Sequence, residues 1–171
     1  MTNDDPGARR RRPYRLVLDE SRIAGGGGVE RRLEMLSARP SPAHSMVAVV
    51  DDEESVRRAL VRLFDSANFE AEAFPSARDF LRALEDRSFD CLVLDLQMPD
   101  MTGLDLQRYL RMVCPSLFLP VIIVTAHDEP GVREMCFAAG VRAYLRKPVE
   151  GSALLSAVST LTARDDNDGF D

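Results

Sequence analysis

A chain of 171 residues with 45% apolar side chains can bury the core of one ordinary domain plus an extension, which argues against two full domains. Its net charge of −6 conceals an asymmetry, +3 over residues 1–45 and −9 over residues 46–171, and so acidic a globular part disfavours direct nucleic-acid binding and suits a cation. Three cysteines without a C-x-x-C pair suggest neither a disulfide framework nor a zinc site, and no apolar run approaches the length that spans a bilayer, so a soluble, cytoplasmic protein with no membrane partner is expected.

Residues 1–45 contain a basic run at 9–12, four glycines at 25–28 and a Pro-Ser stretch at 39–42, a composition that predicts a largely disordered extension. The amphipathic piece 29–36 is too short to hold a helix alone. A solvated tail is the favoured reading; a nucleic-acid or membrane contact through the arginines, and an artefact of start-site choice ahead of Met46, are the others. An ordered domain is predicted over 46–165, followed by a short acidic tail, 166–171.

From Met46 onward, short apolar runs alternate with segments of helical period. The runs at 46–50, 91–94 and 121–124 are apolar throughout, the pattern of strands buried on both faces. Weaker runs at 69–74 and 143–145 supply two more strands. Between them, apolar stripes such as Val56, Leu60, Leu63 and Phe64, or Leu104, Leu106 and Leu110, predict helices that bury one side, and 152–162 predicts a last helix. Ser76 with Asp79, and Thr102 with Asp105, stand as N-cap and N3 partners, while Gly140 closes a helix opened by Pro130. Five strand-helix repeats imply right-handed crossovers and a parallel α/β sheet covered on both faces, with ligands bound beyond the carboxyl ends of the strands. Asp51, Asp52, Asp95, Thr125 and Lys147 all fall there.

Asp51, Asp52 and Glu53 follow the first strand and Asp95 the third. Carboxylates gathered at neighbouring strand ends repel unless a hard dication joins them, and an all-oxygen donor set predicts Mg²⁺. The alternative for Asp51 and Asp52 alone is that they cap the next helix. Lys147, the only lysine among 22 basic side chains, can reach back over the pocket as a compact ammonium for phosphate oxygens. Thr125, beside the small Ala126, offers a hydroxyl; a solvated lysine and a plain strand-end threonine are the bland readings of this pair. A carboxylate nucleophile, a dication, an ammonium and a hydroxyl together suit phosphoryl transfer to an aspartate.

The segments Val49-Val50-Asp51-Asp52-Glu53, Leu94-Asp95-Leu96-Gln97-Met98-Pro99-Asp100-Met101-Thr102-Gly103, Val124-Thr125-Ala126 and Lys147-Pro148 resemble, in order and spacing, the response-regulator receiver domains of two-component phosphorelay signalling. The resemblance covers residues 46–163 and implies a flavodoxin-like, doubly wound (βα)5 fold with strand order 2-1-3-4-5. It implies that Asp95 is the phosphoacceptor, that Asp52, Asp95 and the Gln97 carbonyl hold Mg²⁺ with Asp51 acting mostly through water, and that Thr125 and Lys147 bind phosphoryl oxygens. It further implies a cis Lys147-Pro148 bond and a switch in which Thr125 draws inward and the Tyr144 ring follows. Gln97 and His127 flank the path of an attacking water. The reading for His127 is that it modulates loss of the phosphoryl group; an exposed loop histidine without a role is the alternative.

The expected partners are a sensor histidine kinase or a phosphotransfer protein on the input side and a downstream protein on the output side, through a face formed by residues 131–139, 143–145 and the last helix. A phosphorylation-dependent homodimer is a further expectation. Eight residues after the last helix hold no output module, so the chain reads as a stand-alone receiver, not an enzyme beyond its own phosphorylation and dephosphorylation. Two rivals are a Mg²⁺-dependent phosphohydrolase with an Asp95 nucleophile, and a DNA-binding regulator acting through the basic arm.

Overall fold

In a computed structural model that describes residues 45–163, apart from Ser116 and Asp128, the predicted alternation becomes five parallel strands and five helices. Strands β1 (Met46–Val50), β2 (Glu70–Phe74), β3 (Cys91–Asp95), β4 (Val121–Thr125) and β5 (Ala143–Arg146) form one sheet in the order β2-β1-β3-β4-β5. Helices α1 (Glu54–Ser66), α2 (Ala77–Asp86), α3 (Gly103–Val113), α4 (Val132–Ala138) and α5 (Gly151–Thr162) cover it. The expectations for the extension 1–45, Ser45 excepted, and for the tail 166–171 fall outside the described residues.

The apolar strands are explained by burial on both sides. In β1, Val47 and Val49 pack with Cys91, Val93, Ile122 and Val124 beneath Leu60 and Phe64 of α1 and Leu154 and Val158 of α5. The alternate residues Ala48 and Val50 join Leu92, Leu94 and Ile123 against Phe80 and Leu84 of α2, Leu106 and Leu110 of α3 and Cys136 of α4. The sheet is the middle of three layers, and the three inner strands β1, β3 and β4 are almost wholly buried.

Local chemistry ends the helices close to where the sequence predicts. Ser76 accepts from the Asp79 N–H, and Thr102 and Asp105 form a reciprocal capping box. Gly140, at φ 93°, closes α4 with Val141 N–H bonded back to the Cys136 carbonyl. The differences are small and have causes. Phe69 does not join β2, because its N–H goes to the Phe64 carbonyl and its ring packs edge-on against Phe64. Helix α4 starts at Val132, not at Pro130, because Gly131 before it sits at φ 83°, outside helical space. Helix α5 begins one residue early, at Gly151, because the Leu154 N–H bonds the Glu150 carbonyl at 3.1 Å and closes the first turn there. Strands β3 and β4 run one residue further than expected, to Asp95 and Thr125, since Asp95 still pairs with Val124 and Thr125 with Arg146.

Candidate functional site

Strand register brings the acidic residues together. Val50 pairs with Leu94, so the next residues, Asp51 just past β1 and Asp95 at the end of β3, stand side by side at the carboxyl ends of two adjacent inner strands. Asp51 and Asp95 are buried, while Asp52 is exposed, and one carboxylate oxygen from each of the three lies within 4.8 Å of the others. Asp51 is held from both sides: Oδ1 accepts from the Glu53 N–H at 2.8 Å and Oδ2 from Lys147 Nζ at 2.8 Å. The Lys147 ammonium also stands 3.5 Å from Asp95 Oδ1, with 20% of its side chain exposed.

The electrostatics follow from this packing. Burial is the main cause that pushes the Asp95 carboxyl above its ordinary range; Lys147 opposes it, Asp51 adds to it, the Gln97 backbone opposes it and Asp52 adds to it. For Lys147, burial works against the ammonium, yet the hydrogen bond and charge of Asp51, followed by Asp95, outweigh it and the group is raised. The residues present fit a hard dication: three carboxylates supply oxygen only, with no His or Cys among them, and one is open to solvent.

Thr125 is buried, and its Oγ1 both donates to the His127 carbonyl at 3.1 Å and accepts from the His127 N–H at 3.2 Å. The Tyr144 hydroxyl donates to that same carbonyl at 3.3 Å, and the residue is 7% exposed, so its ring lies inward. His127 thus meets Thr125 and Tyr144 through its backbone, while the residue itself is exposed, as is Gln97. The Lys147-Pro148 bond is cis.

Three contributors were not singled out from the sequence. Arg57 Nη1 donates to the Asp51 carbonyl at 2.7 Å from the first turn of α1. A Cβ on Gly103 would stand 2.4 Å from the Asp95 carbonyl oxygen, so only glycine lets α3 begin against the acidic loop. Arg133 lies over the Tyr144 ring. Gly103 stands inside a segment quoted above and could have been found there; Arg57 and Arg133 act across distances that no local spacing encodes.

Comparison with known proteins agrees with this geometry. A family model described as "Response regulator receiver domain" matches residues 47–159. Nodulation protein W of Bradyrhizobium diazoefficiens is 36% identical over 121 residues, 71% of this chain and 52% of that protein. Response regulator protein TodT of Pseudomonas putida is 32% identical, over 67% of this chain and 49% of that one. The chain therefore spans about half the length of these relatives. Among solved structures, a response regulator receiver protein from Burkholderia phymatum is 41% identical, with TM-score 0.61 and coverage of 69% of this chain and 94% of that one. Vibrio cholerae CheY4 is 28% identical, with TM-score 0.63 and coverage of 69% and 98%.

Proposed function

The chain belongs to the response-regulator receiver family, and from that premise we propose that it accepts a phosphoryl group on Asp95 and signals by phosphorylation-dependent contact with other proteins. The observation that carries this reading is the placement of Asp95 at the carboxyl end of a central strand, in a hollow shared with Asp51, Asp52 and the Lys147 ammonium. A carboxylate oxygen of Asp95 attacks phosphorus; the bond from phosphorus to the donor's imidazole nitrogen breaks, and the imidazole takes up a proton. Asp52, Asp95 and the Gln97 carbonyl would hold Mg²⁺, with Asp51 acting mostly through water, and the ion would supply positive charge for the equatorial phosphoryl oxygens. Lys147 moves from the carboxylates toward the phosphoryl oxygens, and Thr125 turns its hydroxyl to them, leaving the His127 carbonyl to the inward Tyr144, the aromatic of the switch.

The input partner is a sensor histidine kinase or a phosphotransfer protein. The output partner meets the face made by α4, β5 and α5, and pairing of two such faces would give a phosphorylation-dependent homodimer. His127 and Gln97 flank the path of the water that removes the phosphoryl group, and a His127→Ala chain is expected to change the dephosphorylation rate. Three free thiols suit a cytoplasmic setting, and among the described residues no helix is long and apolar enough to cross a membrane.

The test is intact mass after incubation of the full chain with Mg²⁺ and a small phosphodonor. Wild type gains one phosphoryl group and Asp95→Asn gains none. Labelling that persists in Asp95→Asn, or a wild type that never gains mass, refutes the assignment, and turnover of a phosphate ester far beyond one equivalent points to the phosphohydrolase.

A further inference from the structure

The inward Tyr144 ring is covered by a cation. The Arg133 guanidinium carbon stands 5.6 Å from the Tyr144 ring centroid and 5.8 Å from that of Phe137. Arg133 and Phe137 are four residues apart in α4 and so share one side of that helix, beside the edge strand β5 that carries Tyr144. Arg133 is exposed, Phe137 is 42% exposed and Tyr144 is buried, so the guanidinium lies between the buried ring and water. Among the described residues Arg133 has no carboxylate within ion-pair distance, and the rings are what its charge meets. Aromatic faces attract cations, and a planar guanidinium stacks on them better than an ammonium does.

We propose that Arg133 is a positioning residue for the switch: its guanidinium holds the Tyr144 ring in the inward position. The proposal rests on reading Tyr144 as the switch that follows Thr125. The hydrogen bond to the His127 carbonyl holds the hydroxyl end of Tyr144, and Arg133 holds the face; the first answers to Thr125, which uses the same carbonyl, and the second to the surface of α4. A partly exposed cation–π contact changes an equilibrium by a factor of roughly two to five, so the clamp biases the balance between inward and outward rings without locking it.

The test uses the full chain labelled with 3-fluorotyrosine in Mg²⁺ buffer, with the Tyr144 fluorine resonance assigned by its loss in Tyr144→Phe. In Arg133→Met, which keeps an unbranched apolar stem and removes the guanidinium and its charge, the resonance is expected to move toward the position of exposed tyrosine, with an inward-to-outward ratio two- to five-fold lower. Arg133→Lys is expected to fall between Met and wild type, and adding beryllofluoride, a phosphoryl mimic, to return the Met variant to the wild-type position. A Tyr144 resonance that is the same in Arg133→Met and wild type overturns the clamp, as does one equally displaced in Lys and Met. If Arg133→Met shifts the resonance while wild-type Asp95 takes up neither beryllofluoride nor a phosphoryl group, the clamp stands and the phosphoacceptor assignment is what fails.

Discussion

At Asp95 the demands of folding and of chemistry oppose each other. Burial and the neighbouring carboxylates disfavour its ionised form, while Lys147 restrains the effect. A carboxyl whose folded-state pKa is raised contributes stability below the ordinary value of 3.8, and that contribution is lost as pH rises through the folded-state value. Without Mg²⁺, the ionised form of Asp95 is therefore held at a cost. Asp95→Asn is predicted to raise stability by about 1 kcal/mol, a few degrees in Tm, with the gain disappearing toward acid pH. Thermal melts of both chains in chelator from pH 3.5 to 7.5 check this; a variant that is less stable than wild type at pH 7 contradicts it. Lys147 has the opposite sign of role. Its raised pKa means that its pairing is fully present below 10.5 and is lost only as pH rises beyond that, so no titration of Lys147 falls in the neutral range. Lys147→Met leaves Asp51 and Asp95 without their cation and is expected to cost roughly 2–3 kcal/mol, less than a fully buried pair because the side chain is 20% exposed. Urea unfolding at pH 7 measures that loss.

Among the elements, the join between β3 and α3 is the one on which the site depends most. The capping box of Thr102 and Asp105 sets where α3 starts, Gly103 N–H donates to the Leu96 carbonyl at 2.9 Å, and Gly103 lies flat against the Asp95 carbonyl. Gly103→Ala is predicted to cost about 2–3 kcal/mol through overpacking and to slow phosphoryl uptake by displacing the acidic loop. Denaturant midpoints and the rate of mass gain report the two effects separately, and an Ala variant with unchanged rate would show that the loop tolerates the shift. The capping box was legible in the sequence because a cap is a matter of spacing three residues apart. The close approach was not, because it joins residues through space at an angle set by how α3 packs on Leu94 and Asp95.

Across the molecule, burial sorts the three thiols. Cys91 is pushed up to about 12, first by burial in β3, and burial raises Cys136 and Cys114 as well, but Cys114 at the end of α3 is only half-buried, while the other two are buried. A thiol reagent at pH 8 should therefore modify one cysteine, Cys114, in the native chain and all three after unfolding. Mapping the label by peptide mass checks this, and rapid native labelling of Cys91 would speak against the three-layer core.

The order of strands and helices, the core stripes and the chemistry-bearing residues of the acidic pocket could be read from the sequence, because apolar period and residue type are local properties and a wholly apolar pentapeptide has few places to go. What the tertiary structure decided is which atoms meet. Only the register of β1 beside β3 sets Asp51 next to Asp95; only the fold of β5 brings Lys147 onto Asp51, 96 positions away, and puts Arg133 over Tyr144. Electrostatic and stacking contacts act through a few ångströms of space, and the distance along the chain that separates their partners carries no record of them.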